Sequence, residues 1–178
     1  KVLAFYKPVG VTCTERDPHA EKKIMDMIRY PERLTYAGRL DKDSEGLILL
    51  TNDGDLINVM MRGANRHEKE YIVKTDREIT PDFLEKMAKG IYLKDLDITT
   101  RECEIEQIGK FTFRIVLTQG VNRQIRRMCE ACGYRVKALK RIRIMNILLG
   151  DLKPGKWREV TGEELEQLQR DTGMLNRN

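Results

Sequence analysis

The chain has 178 residues, 40% of them hydrophobic and 34% charged, with a formal net charge of +5. That length points to one domain, residues 1–178, or to two closely packed halves, and it suffices for a real core. No apolar run approaches a membrane span and no signal peptide is visible, so membrane and exported classes are set aside and a cytoplasmic protein is expected.

In chain order, residues 2–6 form an apolar strand candidate that Lys7-Pro8-Val9-Gly10 turns, which presents Lys7 at a strand end. Residues 19–29 carry Ile24, Met25, Met27 and Ile28 among charges and predict a surface helix ended by Tyr30-Pro31. A polar loop with Gly38, Arg39, Asp41, Asp43 and Glu45 leads into the apolar run 47–51. Gly46 and Asn52-Asp53-Gly54 bound that run, so it reads as a buried strand between two turns. The loop is therefore pinned to the core at one end, which suits a carboxylate that must hold its position.

A short helix is expected over 55–61, with Gly63 ending it, and then a strand over 67–75 whose second half alternates. Thr80-Pro81 caps a helix bearing Phe83, Leu84 and Met87, closed by Gly90. Residues 98–107 and 111–118 read as a hairpin around Gly109-Lys110. Gln119-Gly120-Val121-Asn122 breaks into a helix over 123–132, ended by Gly133. Residues 134–144 are a basic strand candidate in which Val136, Leu139 and Ile142 are apolar without strict period two. A short strand over 157–160 and a final helix opened by the capping box Thr161-Gly162-Glu163-Glu164 complete the chain. Strands outnumber helices and no rhythm of parallel crossovers appears, so the expected class is α+β: a mixed, mostly antiparallel sheet flanked by helices.

Charge is unevenly placed. Between Asn122 and Arg143 lie Arg123, Arg126, Arg127, Arg135, Lys137, Lys140, Arg141 and Arg143 against one acid, Glu130. A charge run is most often a solvated face, but this one interleaves with Ile125, Met128, Val136, Leu139 and Ile142 and so belongs to folded elements. Its simplest partner is a polyanion, nucleic acid.

Several metal readings fail on spacing. Asp41, Asp43, Glu45 and Gly46 match early places of a calcium loop, yet the twelfth place holds Asn52 where a bidentate Glu is needed. His67-Glu68-Lys69-Glu70-Tyr71 lacks the second His of a zinc helix. Cys129-x-x-Cys132 sits inside a helix without a second close pair, so reduced, partly buried thiols are expected of Cys13, Cys103, Cys129 and Cys132. Neither metal nor cofactor is expected.

Four separated motifs together carry a resemblance: KPVG at Lys7 to Gly10, GRLDKDSEGLILLTNDG from Gly38, EKEY at Glu68 to Tyr71, and QGVNRQIRRM at Gln119 to Met128. KPVG and the Lys-x-Tyr pair are weak alone, whereas the GRLD segment is highly specific. In order and spacing they resemble the RsuA-like family of ribosomal-RNA pseudouridine synthases, and the words HEKEY, NRQIRRMCE and RIRIMN resemble the F-type branch among its members acting on large-subunit RNA. The resemblance implies the pseudouridine synthase catalytic fold with an active-site cleft across the sheet. It makes Asp41 the nucleophile, Tyr71 the ring that stacks on a flipped uracil, and Arg126 the partner of the Asp41 carboxylate.

Such an enzyme is an isomerase that needs little else. Cleavage of the glycosidic bond develops positive charge on the ribose, which one desolvated carboxylate can stabilise or capture. Residue types leave open whether Asp41 attacks the sugar, attacks the base or takes a sugar proton. Arg39, Lys7, Arg123, Arg127, Lys140 and Arg143 are candidate phosphate contacts. Without the other motifs, Tyr71 is by default a half-buried strand aromatic and Arg126 a surface cation.

The expected partner is structured RNA, above all 23S ribosomal RNA or its assembly intermediate and also a tRNA anticodon, bound by a monomer. The rival reading is a non-catalytic RNA-binding or ribosome-assembly module. Family members of this type usually carry a small basic S4-like RNA-binding domain ahead of the catalytic part, and no such module stands in this chain.

Overall fold

The computed structural model describes residues 1–13 and 24–175. In chain order the elements are β1 (Val2–Lys7), α1 (Ile24–Met27), β2 (Thr35–Tyr36), β3 (Glu45–Thr51), α2 (Gly54–Met61), β4 (Lys69–Thr75) and α3 (Pro81–Lys89). There follow β5 (Tyr92–Leu93), β6 (Ile98–Thr99), β7 (Glu104–Gly109), β8 (Thr112–Leu117), α4 (Gln124–Ala131), β9 (Val136–Ile144), β10 (Ile147–Leu148), β11 (Trp157–Glu159) and α5 (Gly162–Asp171). A nine-stranded sheet runs β11-β1-β3-β9-β4-β8-β7, with β2 on β3 and β10 on β9. Every pairing is antiparallel except β3 with β9.

The unbroken apolar runs of β1 and β3 are explained by burial on both faces. Val2, Ala4, Leu47 and Leu49 pack with Leu56 and Met60 of α2 and Leu168 of α5. Leu3, Phe5, Ile48 and Leu50 pack on the other side with Ile24, Leu34 and Leu40. A third cluster lies at the other end of the sheet, where Phe83 and Met87 of α3 and Ile125, Met128 and Cys129 of α4 cover Val73, Phe113, Ile115 and Leu139. Burying each large side chain of this kind contributes roughly 1.5–3 kcal/mol.

The elements expected from sequence are present, with four differences. The helix expected from 19 is described only over Ile24–Met27, and its expected start lies outside the described residues. The strand expected over 98–107 is two: Ile98–Thr99 pairs with β5 in a separate small sheet, and only Glu104–Gly109 joins the hairpin with β8. The break falls where the chain is tied to the end of α3, with Thr100 and Ile91 exchanging hydrogen bonds and the Cys103 N–H donating to Ala88. At α5 the Thr161 hydroxyl makes no capping bond. The Glu164 carboxylate is taken instead by Arg158, at 2.6 and 2.9 Å. Finally, Gly63 opens a short 3-10 turn, Gly63–Asn65, after α2 has ended at Met61.

The irregular apolar spacing of β9 has a physical cause. Against β4, Lys74 and Thr75 face Ala138 and Val136, while Glu70 and Tyr71 face Arg143 and Arg141. Lys137 and Ile142 are thus extra residues, and each resets the alternation of inward and outward side chains.

Candidate active site

The loop between β2 and β3 is held from three sides. From below, Lys7 is fully buried and its Nζ donates to the carbonyls of Pro8 at 2.7 Å, Val11 at 2.8 Å and Lys42 at 3.3 Å. The Gly10 N–H also donates to Lys42 O, and Cys13 Sγ exchanges hydrogen bonds with Leu40. From the sheet, Arg141 is buried, with its Nε on Leu47 O at 2.8 Å and Nη1 on Arg39 O at 3.3 Å. From α4, Arg126 Nη2 donates to Ser44 Oγ at 3.0 Å and to Asp43 O at 3.2 Å. Side chains that pin backbone in this way hold a neighbouring group in place without relying on it.

The strands bring the pieces together at β9. Arg141 stands opposite Gly46 in the parallel pair and opposite Tyr71 in the antiparallel one. The approach at Gly46 is so close that a Cβ there would lie 2.3 Å from Arg141 O, and its φ of +117° also favours glycine. The bulge beside Tyr71 re-aims that side chain at the same joint.

A cavity of about 430 Å³ opens at this joint, lined by Asp41, Lys69, Tyr71, Gln124, Arg126 and Arg141 together with apolar Leu40, Leu117, Ile125 and Leu139. Its size and mixed lining suit a small ligand. Asp41 keeps about a third of its side chain exposed, and Arg123 Nη1 lies 3.4 Å from its Oδ2. Arg123 also grips Asp43 with two hydrogen bonds, at 3.1 and 2.9 Å. That grip holds the Asp43 carboxyl below its usual range. Burial, helped by the charge of Arg141, lowers the Lys69 ammonium to about 8.

Asp41, Tyr71 and Arg126 therefore line one cavity, as expected, but their pairing differs. The cation beside Asp41 is Arg123, the αL residue at the head of α4 (φ 52°). Arg126, three residues further on, is spent on Ser44, Asp43 O and the Asp43 carboxylate at 3.5 Å.

The six expected RNA contacts separate in the same way. Lys7 is inside the core and is a structural clamp, because its three donors are saturated by carbonyls. Arg143 is held by Glu70, Glu68 and Met145 O, and Arg127 folds back on Asn122. Lys140 lies 5.9 Å from the Tyr6 ring. Arg39 is exposed at the cavity edge, the arrangement expected of a phosphate contact. Arg141 and Gln124 were not singled out by sequence, since nothing in a basic strand or a helix start marks which side chain faces inward, and Lys69 entered only as the Lys of the weak Lys-x-Tyr pair.

Among the described residues, no group of three or more His, Cys, Asp or Glu is placed to hold a metal ion, and no helix is long and apolar enough to cross a membrane. Burial pushes the Cys129 thiol up to about 12, which makes it inert.

Comparisons with known proteins fit this geometry. The family model described as RNA pseudouridylate synthase matches residues 1–131. The chain is 47% identical over 167 residues to the dual-specificity RNA pseudouridine synthase RluF of Escherichia coli (strain K12), covering 94% of this chain and 57% of that protein. It thus spans little more than half the length of that relative. It is 36% identical over 172 residues to an uncharacterized RNA pseudouridine synthase of Aquifex aeolicus (strain VF5), covering 94% of this chain and 71% of the other. A crystal structure of a pseudouridylate synthase superposes with a TM-score of 0.88 at 29% identity, over 94% of this chain and 73% of that one. An archaeal box H/ACA Nop10–Cbf5 complex shares the fold alone, with a TM-score of 0.56 at 17% identity.

Proposed function

The chain belongs to the RNA pseudouridylate synthase family, and we propose that it isomerises a specific uridine in a structured RNA. The single observation that carries this reading is Asp41 at a cavity shared with Tyr71, its carboxylate beside Arg123 and its loop pinned from three sides.

In this reaction the bond from C1′ of the ribose to N1 of the base breaks, the base turns, and a bond from C1′ to C5 forms. The proton on C5 leaves and N1 gains one, so nothing is oxidised or reduced and no water is consumed. Asp41 meets the electron-poor ribose or base, and Arg123 beside it holds its carboxylate oriented. Tyr71 offers a flat apolar surface to a base removed from its stack, and the cavity keeps water from intercepting the cleaved sugar. Arg126 acts as a positioning residue through Ser44 and the Asp43 backbone.

The RNA proposed is 23S ribosomal RNA or its assembly intermediate, with a tRNA anticodon as a second substrate, met by a cytoplasmic monomer. The name of the Escherichia coli relative, a dual-specificity RNA pseudouridine synthase, is consistent with more than one RNA target. The test is tritium release from 5-tritiated uridine in ribosomal RNA lacking its own modifications, with a chelator present. Release that maps to one uridine supports the reading. Salt-sensitive binding without release by this chain, or by a longer one carrying it, overturns it.

A further inference from the structure

An apolar side chain stands exposed at the edge of the cavity. Among the described residues lining it, the exposed side chains are those of Thr35, Arg39, Met61, Asn122 and Arg123, and of these only Met61 is apolar, at 56% exposure. A single exposed methionine is ordinary on a protein surface, so its place has to carry the argument. Met61 Sδ lies 3.8 Å from where a Cβ on Gly38 would be, on the loop that leads through Arg39 and Leu40 to Asp41.

The backbone under Met61 is held firmly. Its neighbour Met60 and Leu56 bury α2 in the core with Leu47 and Leu49 of β3, and Ile57, one helical turn before Met61, lines the same cavity. After α2 the chain makes a short turn in which the Arg66 N–H donates to Gly63 O and Asn65 Nδ2 donates to Val59 O at 2.9 Å. Arg101 ties that turn to the segment after β8. Its Nη2 donates to Gly63 O at 3.2 Å, its Nη1 to Thr118 O at 2.7 Å, and its backbone N–H to Oε1 of Gln119, another residue of the cavity lining, at 2.7 Å. A side chain carried in this way can press into a ligand without the helix end yielding. Arg62 and Arg66 are exposed on the same turn, and Arg39 is exposed next to Gly38. An apolar tip set among cations suits RNA, whose bases meet the tip and whose phosphates meet the rim.

Extruding a base costs its stacking and leaves a gap between its neighbours. Proteins that hold nucleic acid in a deformed state often fill such a gap with an apolar side chain, methionine included. A thioether is flexible and polarisable and makes favourable contacts with aromatic rings. We propose that Met61 is the wedge of this site, entering the RNA stack at the position that the target uridine vacates while Tyr71 receives the base. It is a positioning residue, because it touches the neighbours of the target and acts on the reaction by stabilising the extruded state. The proposal rests on the synthase reading and deepens it.

The test separates binding from chemistry by using the Asp41→Asn chain throughout. Two stem-loops are compared, both centred on the uridine that tritium release identifies. One is natural, and in the other both flanking nucleotides are abasic, so that no ring faces the vacated position. Adding Met61→Ala is expected to weaken the natural RNA roughly fivefold, the scale of a thioether–ring contact. The abasic-flanked RNA should then bind within about twofold of its affinity for the Asp41→Asn chain, since the two changes remove the same contact. Adding Met61→Leu in place of alanine should restore binding of the natural RNA, and melting temperatures check that each variant is folded. Equal weakening of both RNAs by Met61→Ala, no weakening of the natural one, or a leucine variant no better than the alanine one overturns the wedge. The synthase reading fails separately, in the tritium-release assay with the unsubstituted chain.

Discussion

Arg123 and Asp41 meet across the cavity mouth, Nη1 to Oδ2 at 3.4 Å, while the same guanidinium holds Asp43 through both of its oxygens. One cation thus bridges the carboxylate proposed for chemistry and the one that fixes its loop. Arg123 takes a left-handed backbone conformation, with φ at 52°. For a residue with a Cβ that costs about 1–2 kcal/mol.

Asp41→Asn removes charge and keeps shape. It is expected to abolish tritium release while leaving RNA affinity within about twofold, since backbone phosphate contacts dominate affinity. Unchanged release would sink the assignment, and a non-catalytic RNA-binding module would show no release in either form.

Arg123 and Arg126 should separate by readout. Arg123 is 41% exposed, so Arg123→Ala is expected to lower turnover with little change in melting temperature. Arg126 is only 13% exposed and ties α4 to the loop, so Arg126→Ala should also lower stability, by about 1–3 kcal/mol. Denaturant unfolding beside single-turnover kinetics distinguishes them. Identical profiles for both variants would contradict this division.

Lys7 and Arg39 form a second contrast. Lys7→Met strands three carbonyls and is expected to cost about 1.5–3 kcal/mol of stability. Any loss of RNA binding should follow from unfolding alone. Arg39→Ala should leave stability intact and reduce the salt dependence of RNA binding by about one phosphate contact. Affinity titrated against salt, with melting curves, decides both.

Lys69 gives a pH prediction. Its ammonium, lowered from 10.5 to about 8, is charged below that value and neutral above it. RNA affinity should therefore fall as pH rises through 8, by roughly tenfold for a lost charged contact, and Lys69→Met should flatten that limb. Because an unfolded chain holds this proton up to 10.5, the Lys69 contribution to folding stability rises with pH between 8 and 10.5. Affinity that climbs over this range would refute a charged contact between Lys69, which lines the cavity, and the RNA.

Gly46→Ala should be strongly damaging. Its Cβ would meet backbone, Arg141 O at 2.3 Å and Arg141 N at 2.7 Å, and no rotamer can relieve that. Separating the parallel pair of β3 and β9, at a left-handed glycine, is expected to cost about 3 kcal/mol. A melting temperature within two or three degrees of the parent would show that the strands part more easily than this packing implies.

Much of the molecule was legible in the chain. The buried runs of β1 and β3, the α3 cap at Thr80 and the class of sheet follow from local pattern, because burial and capping act on neighbours in sequence. The GRLD segment likewise located the loop that carries Asp41. Partnership was not legible. Arg123, Arg126 and Arg127 crowd one helical turn and look alike as letters, and only the αL turn at Arg123 and the crossing of α4 over the loop decide which of them reaches Asp41. Lys7 stands at a strand end before a Pro-Gly turn and reads as an exposed cation, yet the fold wraps three carbonyls around it. Gln124 acquires its orphaned oxygen only because Arg101, distant in sequence, fixes the Gln119 amide that its own amide faces. Sequence specifies which side chains are available and which elements they ride on. Which charge meets which, and which acceptor is left over, is set by long-range packing that positions atoms to fractions of an ångström.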